Sequence, residues 1–174
     1  MTNIFLSLGS NIGDRFSNLQ KAIRYLSEST TILKESSIYE TAPVGAIKQN
    51  NFYNMMIEVK TYFSADELLL QCLGIEKKIG RIREKKWGPR LIDIDIITFG
   101  QEEVNRNGLS IPHPEFANRR FVLEPFAEIA ADFLILNHSV SDYLQSCTDS
   151  SQIKKLQSEP ISNTVSFATK RTHG

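Results

Sequence analysis

Three isoleucines alternate with two aspartates in residues 92–96. Side chains two residues apart on a β-strand point to the same face of a sheet. The alternation therefore predicts a strand over residues 91–99 with one buried face and one wet face. The isoleucines would belong to a core, and Asp93 and Asp95 to an open surface of the sheet.

The residues before this strand predict a strand followed by a helix. Residues 4–8 are a short apolar run, and turn residues follow it. Asp14 is placed to cap a helix whose apolar side chains step by three and four, which lays one stripe against a sheet. Gly9 and Gly13 are interpreted as turn residues that aim this helix.

The next segments complete the fold class. Residues 32–40 and 52–61 are predicted strands, and Ser64 with Glu67 forms a capping box before a helix that Gly80 ends. The order β-α-β-β-α-β predicts an α+β fold, a ferredoxin-like antiparallel sheet with helices packed on it. A C-terminal elaboration is expected to add a helix and a strand over residues 121–135 and a small helix over residues 140–147.

The length and composition favour a single core. The chain has 174 residues, of which 41% are apolar, and this is short for two full domains. After about residue 148 the sequence turns to Ser, Lys, Gln and Asp with few large apolar side chains. We therefore expect one domain over residues 1–148 and a polar tail over residues 149–174 that is surface-packed or mobile.

The charge balance excludes some partners. Lys plus Arg and Asp plus Glu both total 20, so no overall field draws the chain to nucleic acid or an acidic membrane. The longest apolar runs are far shorter than the ~20 residues that cross a bilayer. Two cysteines and an N-terminus without a charged leader favour a cytoplasmic protein.

Asp93 and Asp95 are the first candidates for chemistry. On a strand their Cα atoms would lie about 6.5 to 7 Å apart on one face. Two hard oxygen ligands suit Mg²⁺, which proteins hold with one or two carboxylates while water and phosphates complete its shell. Acidic pairs on a wet strand face are more often only solvated, so the neighbouring residues must decide between these interpretations.

A dense basic segment lies directly before the aspartates. It adds five cations to an otherwise neutral chain: Arg81, Arg83, Lys85, Lys86 and Arg90. Guanidinium groups bind phosphate oxygens with two donors each. A solvated loop accounts for the lysine pair but poorly for Trp87, the lone tryptophan, among them. Trp87 is open to two interpretations, a structural plug or part of a lid that excludes water.

Two further clusters offer binding groups. His113 lies between two prolines ahead of Arg119, and a histidine there is either a structural hydrogen-bonding group or a phosphate contact. The second cluster can hold a flat heterocycle, which would stack on an aromatic ring while an amide reads its edge. Its members are Thr41, Pro43, Gly45, Phe52 and Asn54, although Phe52 is equally consistent with a core position.

Familiar phosphate-binding loops are absent from the sequence, because it has no Walker-type motif and residues 8–13 lack the spacing of a dinucleotide fingerprint. Taken in order, however, the motifs resemble those of the 6-hydroxymethyl-7,8-dihydropterin pyrophosphokinase family, which transfers pyrophosphate from ATP to a pterin alcohol in folate biosynthesis. The resemblance runs from Phe5 to about Ile129. It rests on Leu8-Gly9-Ser10-Asn11, Gly13-Asp14-Arg15, Tyr39-Glu40-Thr41, Pro43-Val44-Gly45, Phe52 with Asn54, Gly80-Arg81-Ile82-Arg83, Trp87-Gly88-Pro89-Arg90, Asp93-Ile94-Asp95, Pro112-His113-Pro114, and Arg119 with Phe121-Val122-Leu123.

Two positions depart from the family pattern. Lys86 stands where an arginine usually precedes the tryptophan, and Leu91 stands where a threonine often follows Arg90. Lys86 keeps the charge but loses the bidentate geometry of arginine, so no essential role is expected for it.

The resemblance implies a role for each matching residue. Asp93 and Asp95 would bind two Mg²⁺ ions and, with Arg81 and Arg90, form the catalytic set. The ATP-binding set would be Arg81, Arg83, Trp87, Arg90, His113 and Arg119, with Trp87 closing the lid. The pterin pocket would be lined by Thr41, Pro43, Gly45 and Asn54, with the ring between Phe52 and Phe121. The partners would be ATP and a pterin alcohol, bound by a monomer, with other folate-pathway enzymes as further partners.

Two other classes of protein share parts of this pattern. The RNA recognition motif has the same order of elements, but its aromatic signature strand is missing and aspartates on the binding face would repel phosphate. A non-catalytic pterin- or nucleotide-binding protein is the second alternative, and the intact aspartate pair and arginines argue against it. We therefore predict an ATP-dependent pyrophosphokinase with neither a nucleic-acid nor a membrane partner.

Overall fold

The computed structural model of the chain describes residues 2–45, 47–80, 90–156 and 161. Arg81, Arg83 and Trp87, which belong to the predicted nucleotide site, lie outside the described residues. Within the described ranges, no helix is long and apolar enough to cross a membrane.

The described residues form an antiparallel sheet of six strands around two long central ones. β1 (Thr2–Ser10) lies between β4 (Phe52–Thr61) and β5 (Asp93–Phe99). On its other edge, β4 pairs with two shorter strands, one near each of its ends. The strand that pairs with the start of β4 pairs on its outer edge with a strand from near the C-terminus. These strands are β2 (Thr31–Glu35), β3 (Tyr39–Thr41) and β10 (Ile153–Lys155).

Two helices with the predicted caps cover one face of the sheet. α1 (Arg15–Ser27) begins where the Asp14 carboxylate accepts a hydrogen bond from the Ser17 amide at 3.0 Å. α2 (Ala65–Ile79) begins with the Ser64–Glu67 capping box and ends at Gly80, whose φ of 107° is left-handed. Their apolar stripes pack on side chains of alternate sheet residues, among them Ile4, Leu6 and Leu8 of β1.

Part of the opposite face is covered by α3 (Arg120–Ala130), and α4 (Val140–Ser146) packs against α3. Phe5, which points away from α1 and α2, packs against Phe126 of α3 with ring centroids 4.6 Å apart. The remaining short elements are peripheral: a 3₁₀ turn Phe116–Asn118 and two hairpins, β6 (Val104–Arg106) with β7 (Leu109–Ile111) and β8 (Leu134–Ile135) with β9 (His138–Ser139).

The α+β prediction is confirmed, with local differences. The segment predicted as one strand over residues 32–40 is broken between β2 and β3, because hydroxyl groups there replace ladder bonds. The Ser36 hydroxyl accepts from the Met56 amide at 2.8 Å, and the amide and hydroxyl of Ser37 donate to Glu128. The strand predicted over residues 91–99 begins at Asp93. Gly9 was interpreted as a turn residue, and this was wrong: Gly9 lies within β1 and pairs with Asn54 and Asp93.

Candidate active site

The sheet face under α3 is only half covered. Phe5, Met56 and Ile97 lie beneath α3 in an apolar cluster. Two and four residues away along the same strands, the side chains on this face are small or polar, except for that of Phe52. They are Ser7 and Gly9 on β1, Asn54 and Phe52 on β4, and Asp95 and Asp93 on β5. One sheet surface therefore has a dry half, which holds α3, and a wet half.

A cleft of about 290 Å³ lies over the wet half. Its floor is the set of strand residues just named. Its walls come from the end of β3 and the loop after it, from the segment before β5, from the segment after β7 and from the start of α3. These wall residues are Thr41, Ala42, Val44, Gln49, Arg90, His113, Arg119 and Phe121.

The two aspartates lie at the N-terminal end of β5. Asp95 and Asp93 lie opposite Ser7 and Gly9 of β1, and an Asp93 carboxylate oxygen lies 3.5 Å from an Arg90 guanidinium nitrogen. From the other side of the sheet, the buried Glu76 carboxylate accepts a hydrogen bond from the Ile94 amide at 2.8 Å. Because Ile94 lies between the aspartates, this contact fixes the backbone that carries them.

The aspartate pair fits a magnesium ion by the chemistry of its donors. Both carboxylates are partly exposed, line one cleft and supply the hard oxygen atoms that Mg²⁺ prefers. Arg90 and Arg119 border the same cleft, so anionic oxygen atoms bound there would meet positive charge from more than one side.

The hydrogen bonds of His113 favour the neutral imidazole. Its amide donates to the Ile97 carbonyl at 2.9 Å, and its Nδ1 atom accepts from the Glu115 amide at 3.1 Å. Burial lowers the pKa of His113, Arg119 lowers it further, and Asp95 opposes the change. A neutral imidazole that accepts at Nδ1 carries its proton on Nε2, where it can donate to an anionic ligand.

The part of the cleft formed by β4 and the start of α3 suits a flat heterocycle. Phe52 and Phe121 both line the cleft, and the Asn54 side-chain amide donates to the Thr41 hydroxyl at 2.6 Å. A Cβ atom at Gly9 would lie 2.7 Å from the side-chain oxygen (Oδ1) of Asn54, a shorter distance than real Cβ atoms show. Gly9 therefore makes room for the Asn54 amide, whose orientation Thr41 fixes.

One buried asparagine joins the two loops that flank the cleft. The Asn11 amide donates to the Arg90 carbonyl at 2.9 Å, and the Arg90 amide donates to the Asn11 side-chain oxygen at 2.7 Å. The Asn11 Nδ2 atom donates to the Gln49 side chain at 2.9 Å and to the Asn50 carbonyl at 3.1 Å. Asn11 is 1% exposed, so these bonds form inside the protein.

Replacing Asn11 by alanine should lower the free energy of unfolding by about 1–3 kcal/mol, because buried donors and acceptors lose their partner. For the ATP and pterin that the motif resemblance implies as substrates, KM should rise, since one loop carries Arg90 and the other carries cleft-lining residues. Thermal unfolding and steady-state kinetics measure the two effects. Asn105→Ala, at an exposed position in β6, is the control. Unchanged KM values in a destabilised Asn11→Ala would show that the bonds only support the fold.

Most of the predicted site residues that the structure describes line this cleft. They are Thr41, Phe52, Asn54, Arg90, Asp93, Asp95, His113, Arg119 and Phe121. Pro43 and Gly45 lie in the same loop as Thr41 but are not among the lining residues. Ser7, Gly9, Ala42, Val44 and Gln49 also line the cleft without having been predicted as site residues. Ser7 had a signal in the sequence, since it is a polar residue between Leu6 and Leu8 in an otherwise apolar run.

The chain is similar to a family of known enzymes. The model of the family described as 7,8-dihydro-6-hydroxymethylpterin-pyrophosphokinase matches residues 5–131. The 2-amino-4-hydroxy-6-hydroxymethyldihydropteridine pyrophosphokinase of Bacillus subtilis is 47% identical over 132 residues, which are 74% of this chain and 79% of the relative. The enzyme of the same name from Aquifex aeolicus is 43% identical over 129 residues, 74% of this chain and 81% of the relative.

Longer proteins contain a similar part. The bifunctional protein FolKE of Lactococcus lactis subsp. cremoris is 39% identical over 154 residues, 87% of this chain and 44% of the relative. The crystal structure of wild-type Plasmodium falciparum HPPK-DHPS superimposes with a TM-score of 0.63 at 17% identity over 83% of this chain. This chain spans 43% of that protein, and at this identity the likeness concerns the fold alone.

Proposed function

The chain belongs to the 7,8-dihydro-6-hydroxymethylpterin-pyrophosphokinase family, and we infer from this that it transfers pyrophosphate from ATP to the hydroxymethyl group of 6-hydroxymethyl-7,8-dihydropterin. The products are AMP and the pterin diphosphate, and the reaction is a step of folate biosynthesis. The chain is thus an ATP-dependent diphosphotransferase. Neither an RNA-binding module nor a non-catalytic binding protein is favoured.

A single observation carries the assignment of the site. The cleft over the wet half of the sheet face is lined both by a carboxylate pair with an arginine and by an amide with two phenylalanines. A magnesium nucleotide needs the first set and a pterin ring needs the second. Placing both in one cleft brings an alcohol and a polyphosphate together, which is the main requirement for in-line transfer.

For the nucleotide, we propose that Asp93 and Asp95 hold two Mg²⁺ ions and that Arg90, His113 and Arg119 contact the triphosphate. Arg81, Arg83 and Trp87 complete this proposed set, Arg81 with a catalytic role and Trp87 as the closing lid residue. Bound magnesium supplies positive charge to the phosphate oxygens. His113 supports the proposal because its Nδ1 atom accepts from the Glu115 amide, which leaves Nε2 as the ring atom that can donate within the same cleft.

For the pterin, the proposed site places the ring between Phe52 and Phe121. Asn54 would read the edge of the ring with an amide whose orientation is set by Thr41 and Gly9. Pro43 and Gly45 would contribute backbone from the loop after β3. The ring stacks on aromatic faces that are largely apolar, while its polar edge requires the amide.

In the reaction, the hydroxymethyl oxygen of the pterin forms a bond to the β-phosphorus of ATP. The bond from that phosphorus to the oxygen bridging the α- and β-phosphates breaks, AMP leaves with that oxygen, and the alcohol proton is released. Arg90, Arg119 and the Nε2 proton of His113 would stabilise negative charge on the phosphate oxygens as it shifts toward the leaving group. The chain therefore acts by positioning and by electrostatics, without a covalent intermediate.

Features of the protein beyond the site are proposed as well. The sheet order β5-β1-β4 followed by β2 and β3, all antiparallel, supports a ferredoxin-like frame. We propose a catalytic domain over residues 1–148 with a C-terminal segment over residues 149–174. We also propose a monomer that works in the cytoplasm, where other folate-pathway enzymes would supply and consume its pterins.

The decisive experiment measures AMP release from ATP with and without 6-hydroxymethyl-7,8-dihydropterin in the presence of magnesium. We expect AMP and pterin diphosphate in equal amounts and no AMP when either the pterin or magnesium is omitted. Hydrolysis of ATP to ADP, or AMP release that does not depend on the pterin, would contradict the proposed reaction.

A further inference from the structure

The residues after α4 return to the edge of the cleft. We call residues 149–156 the C-terminal strap. At one end of the strap Asp149 and Ser151 contact Arg120, the first residue of α3. At the other end β10 pairs with β3, and the Leu156 amide donates to the Ile38 carbonyl at 2.8 Å. The strap therefore joins two elements whose ends both contribute residues to the cleft walls.

The contact with α3 falls between two cleft residues. Arg119 and Phe121 line the cleft, whereas Arg120 between them is held from the outside. The Arg120 amide donates to an Asp149 carboxylate oxygen at 3.0 Å, and the Arg120 guanidinium donates to the Ser151 carbonyl at 3.2 Å. The second Asp149 oxygen accepts from the Ser151 amide at 2.9 Å, which fixes the carboxylate.

This arrangement replaces a missing cap. Arg119 is the N-cap residue of α3 and makes no side-chain capping bond. The first amides of a helix need acceptors, and the positive end of the helix dipole favours a carboxylate there. Asp149, distant in sequence, supplies that carboxylate. Burial alone would raise the pKa of Asp149, but hydrogen bonds from Ser151 and the Arg120 amide outweigh it and lower the pKa, so the group stays charged.

The pairing of the strap with β3 reaches another cleft residue, Thr41. Ile153 of the strap lies opposite Thr41, which orients the Asn54 amide. Lys155 lies 3.6 Å from Glu128 of α3, and the same carboxylate accepts from the Tyr39 hydroxyl at 2.6 Å. β3 and α3 are thus connected both directly and through the strap.

We propose that Asp149 is a positioning residue for the reaction, which holds the first turn of α3 so that Arg119 faces the nucleotide and Phe121 faces the pterin. The proposal rests on the roles proposed above for Arg119 and Phe121. Asp149 itself contacts neither substrate. It acts through the Arg120 amide, and the two side chains that depend on it serve different ligands.

The proposal predicts a coupled loss of affinity for two unlike ligands. Asp149→Ala should weaken binding of a magnesium complex of a non-hydrolysable ATP analogue and of the pterin, each by about tenfold, because misplacing a positioning contact costs one to two orders of magnitude. Asp149→Asn, which can accept from either Arg120 or Ser151 through one oxygen, should lose less. Calorimetric titration of each ligand measures both variants.

Asp142→Ala is the matched control, since Asp142 also accepts from a backbone amide at a helix start, that of Ser139, the N-cap residue of α4, away from the cleft residues. It should leave both affinities unchanged. Amide exchange at residues 120–123 should quicken in Asp149→Ala in the ligand-bound state and not in Asp142→Ala. Unchanged affinities in Asp149→Ala, with or without a lower melting temperature, would overturn the proposal.

The titrations separate this inference from the reaction proposed for the chain. Binding is measured without turnover, so absent AMP release by the unmodified chain would count against the proposed reaction alone. A loss of both affinities in Asp149→Ala, with a partial recovery in Asp149→Asn, would support the positioning role even then. A loss confined to one ligand would contradict it, because Arg119 and Phe121 are adjacent to the same fixed amide.

Discussion

Asp95→Asn should lower kcat for pterin-dependent AMP release by about a thousandfold, because it removes one of the two carboxylates proposed to hold the magnesium ions that offset the negative charge of the phosphates. The amide keeps the shape of the side chain, so the thermal midpoint should stay close to that of the unmodified chain. Asp95 is partly exposed and lies opposite Ser7 of β1. Because serine is small, there is room for an amide at residue 95. Rates measured over a range of magnesium concentrations would show whether added metal restores turnover.

Asp132→Asn provides the matched control, since Asp132 is an exposed aspartate in the turn after α3 and is not among the cleft residues. Its turnover and its dependence on magnesium should equal those of the unmodified chain. If Asp95→Asn kept full turnover, the metal assignment would be wrong. A large fall in the melting temperature of Asp95→Asn would instead assign the carboxylate a structural role.

Gly9→Ala should raise KM for the pterin by about tenfold to a hundredfold, because the added methyl group forces Asn54 from its place. The new Cβ atom would lie 2.7 Å from the side-chain oxygen (Oδ1) of Asn54 and 3.6 Å from the Phe52 ring. Asn54 is 4% exposed and hydrogen-bonded to Thr41, so it cannot move without losing that bond. KM for ATP should change much less, since neither Asn54 nor Phe52 belongs to the proposed phosphate site.

Gly74→Ala controls for the loss of a glycine elsewhere. Gly74 lies on the exposed surface of α2, where an added Cβ atom meets nothing within 4 Å. Alanine there should stabilise the protein by about 0.5–1 kcal/mol, because glycine weakens a helix interior, and the kinetics should stay unchanged. Equal KM values for the pterin in Gly9→Ala and Gly74→Ala would show that Asn54 does not read the ring.

Local patterns predicted the elements that local chemistry determines. The Ser64–Glu67 capping box and Gly80 define α2 because each cap is satisfied within a few residues. The alternation around Asp93 and Asp95 predicted the wet face of β5 because strand geometry has a period of two. The same features carry the motif resemblance, so the aspartate pair was found before the fold.

Long-range contacts produced what the sequence did not reveal. β10 has three residues, and its pairing with β3 depends on an edge that only the folded sheet presents. Ser36 and Ser37 divide a predicted strand because Met56 and Glu128 lie beside them in the fold. The role of Gly9 follows from the Asn54 side chain on the neighbouring strand. Each of these requires a partner that is distant in sequence, which no local pattern encodes.

The half-covered sheet face has a consequence for how the reaction is prepared. Phe5, Met56 and Ile97 are clamped under α3, and each lies two residues from a cleft residue: Ser7, Asn54 and Asp95. The buried hydrophobic side chains thereby immobilise the backbone of these three cleft residues. The loss of conformational entropy needed to align the aspartates and the amide takes place during folding, and less of it remains to oppose substrate binding. Mutations that loosen the dry half should therefore reduce affinity in the wet half without touching a ligand.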